Sequence, residues 1–240
     1  MSAQNGQQLY DACSRRNFVL VRSLVSSGEA SVNFQDENEE TPVMVCCCGD
    51  GTDILTYLIE RGANLDLQNS LGNTALHFAA MYKKHLSMAL LLQHGANAKL
   101  ATNDGNTALI LSAINNSPKC ETLLLQHGVA VDAVDTDGRT ALRLASLYGD
   151  LSIVELLVEG GSDIEIADNR GRKARDIARE RNHTAIVEYL RTPLKDKRWQ
   201  RRSGLAMVRS SIRDVEDPDR AAVIRALQCD DVAREIASWL

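Results

Sequence analysis

Short apolar runs alternate with polar, turn-forming stretches along most of this chain, and the alternation has a period. Thr41-Pro42, Thr74-Ala75-Leu76-His77, Thr107-Ala108-Leu109-Ile110 and Thr140-Ala141-Leu142-Arg143 each open a run, with their threonines 33 residues apart. One more step lands on Lys173-Ala174-Arg175-Asp176. Glycines keep the same step. Gly62, Gly95, Gly128 and Gly161 close one run, and Gly72, Gly105, Gly138 and Gly171 precede the next. Markers locked to one phase define an internal repeat, which has to be settled before any single motif is weighed.

Each period has a readable interior. After the threonine comes a run containing small residues (Ala79, Ser112, Ala145 and Cys46 at equivalent places), which predicts a thin helix. A second run is rich in aliphatics, as in Leu90-Leu91-Leu92 and Leu123-Leu124-Leu125, and stops at glycine, which suits a left-handed helix end. Segments such as Asp135-Thr136-Asp137-Gly138 predict turns. In one unit Ser117-Pro118 stands where the second helix should start, Ser as N-cap and Pro in the first turn. The unit is therefore helix, tight turn, helix, then a protruding loop. A thin row stacked beside a thick row curves the array.

This pattern resembles the ankyrin repeat, on the 33-residue step with Thr-Ala-Leu-His over about residues 7–191. The resemblance implies an all-α solenoid of helix-turn-helix units with protruding loops. Six repeats are expected near 7–35, 36–68, 69–101, 102–134, 135–167 and 168–192. Residues 1–6 are expected to be disordered, 193–216 to form a basic linker, and 217–240 a C-terminal helical segment. The third unit matches best. The second has Glu39 where the others have a turn glycine, which predicts a looser loop. The fourth has Ile110 in place of the histidine and Asn116 in place of a mid-unit glycine. The first is cryptic. The sixth carries Lys173 and Arg175 at usually apolar sites while keeping Ile177, Ala178, Ile186, Val187 and Leu190. Both are expected to be end caps, each with one solvated side.

Composition narrows the function classes. The net charge of −5 is too mild to dictate a nucleic-acid partner, and the 4% of aromatics disfavours a large aromatic-lined pocket. The first eight residues are polar and uncharged, so no secretory leader is expected. No apolar run approaches the roughly 18 residues of a membrane span. The consecutive trio Cys46-Cys47-Cys48 cannot all pair within a regular element, which favours a reduced chain, cytoplasmic and with nuclear entry open to it.

Plain packing accounts for most of the candidate chemistry. Three adjacent cysteines invite a zinc site, but residues on a helix diverge by about 100° each, whereas tetrahedral ligands must converge. Cys46 and Cys47 align with Ala79 and Ala80 and are expected to pack, while Cys48 faces the groove. No metal and no cofactor is expected. The resemblance implies that His77 makes a structural hydrogen bond between loops. His94 and His127 precede helix-end glycines, where a cation is favourable. No phosphate-binding loop, nucleophile elbow or His-Glu-x-x-His motif occurs, so no catalytic residue is assigned and an enzyme is not expected.

What the resemblance implies about contacts is carried over position by position. The family's variable contact positions fall on Ser70, Leu71, Asn73, Met81 and Tyr82 in the third unit. They fall on Asn103, Asp104, Asn106, Ile114 and Asn115 in the fourth, and on Thr136, Asp137, Arg139, Leu147 and Tyr148 in the fifth. Asn169, Arg170 and Arg172 are the corresponding residues of the sixth. The large apolar members among them fit a protein-binding patch. The expected function is a non-catalytic adaptor, scaffold or inhibitor, monomeric, holding another protein or a peptide segment on its concave face.

The tail supplies the alternative. Lys195, Lys197, Arg198, Arg201, Arg202, Arg209 and Arg213 face only Asp196 within 195–213, whereas 214–240 is acidic. Asp217-Pro218 predicts a helix start, and Val232, Ile236 and Leu240, with Trp239 beside them, fall on one helical stripe. So short a helix needs a surface. It is expected to dock on the repeats, giving an autoinhibited protein, or to recruit a second partner and assemble.

Overall fold

The computed structural model describes residues 3–49 and 52–191. Among these residues there are twelve helices and no strand beyond isolated bridges. They run in six pairs: α1 (Ala3–Ser14) with α2 (Phe18–Ser26), α3 (Pro42–Cys46) with α4 (Asp53–Glu60), α5 (Ala75–Met81) with α6 (His85–Gln93), α7 (Ala108–Ile114) with α8 (Pro118–Gln126), α9 (Ala141–Tyr148) with α10 (Leu151–Glu159), and α11 (Ala174–Glu180) with α12 (Thr184–Arg191). The odd-numbered helices touch in series and form an inner row. Their contact positions are small, with Ala79, Ala80, Ala113, Ala145 and Ser112 fully buried, so adjacent backbones approach closely. The outer helices bury leucine, isoleucine and methionine, among them Leu55, Met88, Leu91, Leu124 and Ile153. Truncating any of these to alanine should cost about 2–5 kcal/mol.

Local chemistry sets each boundary. The inner helices start at Thr41, Thr107 and Thr140, whose hydroxyls accept from the amides of Met44, Ile110 and Arg143 at 3.2–3.3 Å. These bonds satisfy amides that have no partner within the helix. Ser117 is the N-cap residue of α8 with Pro118 in its first turn, although the Ser117 side chain does not bond a helix amide. The outer helices end as expected: Gly95, at φ +83°, donates to the Leu92 carbonyl and turns the chain out of α6.

The loops are built alike. Asn69 and Asp135 bridge their own turns, each side-chain oxygen accepting from the amides two and four residues on at 2.8–3.1 Å. Successive tips are then stitched together by backbone bonds, Ser70 N to Asn38 O, Asn103 N to Leu71 O, Thr136 N to Asp104 O and Asn169 N to Asp137 O, each 3.0 Å. Gly72 serves both needs. Its φ is +77°, and a Cβ there would stand 2.7 Å from the Asn103 amide of the next tip.

Three sequence expectations are corrected. The loop of the second repeat is not looser: Asp36 accepts from Asn38 and Glu40 as its counterparts do, and Glu39 takes the left-handed conformation at φ +61°. The expected disorder over 1–6 does not hold for residues 3–6, which are the first turn of α1. Gly6 is buried, and its missing side chain makes room for the Phe34 ring, which anchors the turn. The first repeat's outward side is not wholly polar either, since Val19 is 80% exposed. The linker expected over 193–216 and the helical segment over 217–240, with Val232, Ile236, Trp239 and Leu240, lie outside the described residues.

Candidate protein-binding surface

The chemistry of the fourth residue of the inner-helix motif changes from repeat to repeat. In the first repeat Tyr10 donates to Glu40 at 2.7 Å. In the third, His77 is buried, its Nδ1 accepting from the Thr74 amide at 3.0 Å while its ring faces the Leu100 and Asn106 carbonyls. Burial lowers its pKa to about 4, against the pull of those carbonyls, so the ring is neutral. In the fourth, Ile110 is fully buried and apolar. In the fifth, Arg143 pairs with Asp168 at 2.7 Å, both side chains buried. Burial would raise the Asp168 carboxyl, but amide and side-chain bonds from Arg172, the Arg170 amide and Arg143 hold it well below the usual carboxylate range.

These joints leave one face open, made of the loop tips and the far ends of the inner helices. Leu71 projects from the third tip, 65% exposed. Tyr82, at the end of α5, stacks on Phe78 with ring centroids 6.2 Å apart and is 48% exposed. Cys48, partial burial and Glu40 all raise its phenol. Tyr148 ends α9, 53% exposed and within electrostatic reach of Arg139. Ser70, Asn103, Asp104 and Asp137 are exposed on the tips. Met81, Ile114, Asn115 and Leu147 are half-buried along the inner helices, Asn115 bonding the Leu111 carbonyl at 2.9 Å.

The structure does not place every expected residue on this face. Asn73 is buried at 8% exposure, because its amide and carbonyl both close the turn on Asn69. Arg139 is held by Asp135 at 2.6 Å and by Asp137 at 3.1 Å. Asn103 is committed to its neighbour, donating from Nδ2 to the Ser70 carbonyl. Sequence reasoning missed Glu37, Glu39 and Arg181, all exposed. The repeat step would have found Glu37 and Arg181, 33 residues before Ser70 and 33 after Tyr148, whereas Glu39 aligns with the turn glycine Gly72.

The thiols lie elsewhere. Cys13, Cys46 and Cys48 border a cleft of about 340 Å³ with Arg16, Phe18 and Asp53. Its hydrogen bond with Cys13, then burial, pushes the Cys46 thiol up; burial alone dominates at Cys47, and Cys48 is pushed up to about 11 by burial and Glu40. Protonated thiols are poor nucleophiles and poor ligands. Among the described residues no group of three or more His, Cys, Asp or Glu side chains is placed to hold a metal, and no helix is long and apolar enough to cross a membrane.

A family model described as ankyrin repeats in three copies matches residues 9–100, 84–168 and 131–200. The chain belongs to the ankyrin-repeat family. Ankyrin repeats are protein–protein interaction modules. A putative ankyrin repeat protein of Acanthamoeba polyphaga mimivirus is 37% identical over 59 residues, 24% of this chain and 14% of the relative. An ankyrin repeat protein of rabbit fibroma virus is 36% identical over 64 residues, 26% and 13% of the two chains. A probable serine/threonine-protein kinase of Dictyostelium discoideum is 31% identical over 77 residues, 30% of this chain and 8% of the kinase. The chain thus spans a small fraction of each of these relatives. Among solved structures, a complex of a predatory endopeptidase from Bdellovibrio bacteriovorus with an immunity protein contains a chain 29% identical to this one. The TM-score is 0.68, with 76% of this chain and 95% of that chain covered.

Proposed function

We propose that this ankyrin-repeat chain is a non-catalytic binding protein, an adaptor, scaffold or inhibitor, that holds a protein segment across its loop tips and inner-helix ends. The observation that carries this reading is the exposure of Leu71, Tyr82 and Tyr148 at loop-tip and inner-helix-end positions of the repeats. Amphipathic tyrosines supply contact area at low entropic cost and dominate binding energy where they occur. The kinship to a chain in an endopeptidase–immunity protein complex supports the inhibitor among the three roles. Thiols used as packing groups around α3 support a reducing compartment, cytoplasm or nucleus.

The test uses the full chain. Tyr82→Ala with Tyr148→Ala should abolish capture of a protein partner, while helical circular dichroism and the melting temperature change little. Met81→Ser and Leu147→Ser are expected to cost some stability as well, because both side chains are half-buried. Capture that survives loss of both tyrosines would overturn the surface.

A further inference from the structure

Charge is ordered along the open face. The tip of the second repeat carries four carboxylates. Asp36 is committed to its own turn and Glu40 to Tyr10, which leaves Glu37 and Glu39 exposed. The third tip, Ser70-Leu71, is uncharged, and the fourth carries a single exposed carboxylate, Asp104. On the fifth tip Asp137 is paired with Arg139. At the sixth repeat the sign reverses: Arg170 is exposed on the tip, Arg181 takes the place that Tyr82 and Tyr148 hold in their repeats, and the one carboxylate beside them, Glu180, lies 3.7 Å from Arg172. The apolar side chains Leu71, Tyr82 and Tyr148 therefore lie between an acidic end and a basic end.

We propose that this face binds one polypeptide segment of about a dozen residues, with a basic end over the second repeat and an acidic end over the sixth. Apolar side chains occupy the middle, against Leu71, Tyr82 and Tyr148. The length follows from the stack. Packed helices stand about 9 Å apart, so four repeat steps span about 36 Å, which an extended chain covers at about 3.3 Å per residue. Opposed charges at the two ends set the direction and register of the segment, while the buried apolar contacts supply the affinity. A segment laid the other way round brings like charges together at both ends. This inference rests on the proposed function and specifies the partner's chemistry.

The experiment selects 14-residue peptides from a random phage-displayed library on the full chain, in parallel with a Glu37→Lys/Glu39→Lys variant and a Tyr82→Ala/Tyr148→Ala variant. Melting curves establish that each variant folds. Enriched peptides should carry Lys or Arg at one end, apolar residues centrally and Asp or Glu at the other end. A synthetic copy should bind the Glu37→Lys/Glu39→Lys variant at least tenfold more weakly than the unaltered chain, and binding should weaken between 50 and 300 mM salt. Enriched peptides without separated charges, or no enrichment, would overturn the inference. If such peptides still lose binding to the double tyrosine variant, the face stands and only the charge order fails. If they ignore both variants, the face itself fails.

Discussion

The joint between the third and fourth repeats and the joint between the fifth and sixth solve one problem with opposite chemistry. A side chain at the fourth motif position must leave the inner helix and meet the next loop inside the stack. His77 does so as a neutral ring facing two carbonyls, and no charge has to leave water. Arg143 does so as a buried cation, which needs a buried anion; Asp168 supplies it while also bridging its own turn and holding Arg172. The neutral joint is self-contained, whereas the charged joint makes the sixth loop depend on the fifth helix. Between them the fourth repeat, with Ile110, forgoes a polar bridge. Its polar contact sits deeper instead, where Ser112 donates to Glu121 at the interface of α7 and α8. In a stack whose stability is roughly a sum of nearest-neighbour interfaces, such differences should be measurable one joint at a time.

The largest effect is expected from Asp168→Asn. Asn69 shows that asparagine can bridge this turn, so the loss would come from leaving Arg143 buried without a counter-charge. About 3 kcal/mol should be lost in urea unfolding, and Arg143→Met on the same background should recover most of it. Next, His77→Ile copies the fourth repeat into the third. It should cost about 2 kcal/mol, because the buried Thr74 amide loses the acceptor it has in the His77 ring.

The pH dependence sharpens the contrast. His77 has its pKa lowered from 6.5 to about 4, so the unfolded chain binds more protons between those values. Stability present above pH 6.5 is therefore lost as pH falls toward 4, and the His77→Ile substitution removes this part of the melting profile. Glu121 acts in the opposite direction. Burial raises its pKa from 4.5 to about 8 against the Ser112 bond, so the folded chain holds a proton the unfolded chain releases. Its contribution is present below pH 4.5 and lost as pH rises toward 8. Glu121→Gln should add about 2 kcal/mol at pH 8.5 and little at pH 4, which melting at the two pH values will decide. The smallest effect belongs to the second loop. Glu39→Gly should relieve the left-handed strain and raise stability by about 0.5–1 kcal/mol, read as a higher urea midpoint at unchanged slope.

Much of this architecture is legible in the chain, because it is written in short-range periodicity. Thr41, Thr107 and Thr140 announce their helices through a hydroxyl that reaches only three residues, and Gly95 ends α6 through its own backbone preference. The open face was legible in part. Leu71, Tyr82 and Tyr148 stand out as large side chains outside the repeating framework. Asn73 misled because its side-chain type suits a surface, while the turn it closes buries it. Glu37 and Arg181 were overlooked because each looks ordinary alone and gains meaning only when aligned with Ser70 or Tyr148.

The amino-acid sequence alone determined the repeat length, the order of helices, their boundaries and the family, since each depends on interactions within a turn or two of chain. Only the tertiary structure decided how the joints are bonded. Arg143 and Asp168 lie 25 residues apart, Tyr10 and Glu40 lie 30 apart, and nothing within either local stretch specifies its partner. Such pairings arise when stacking brings separate repeats within hydrogen-bond distance and removes the water that would otherwise satisfy them.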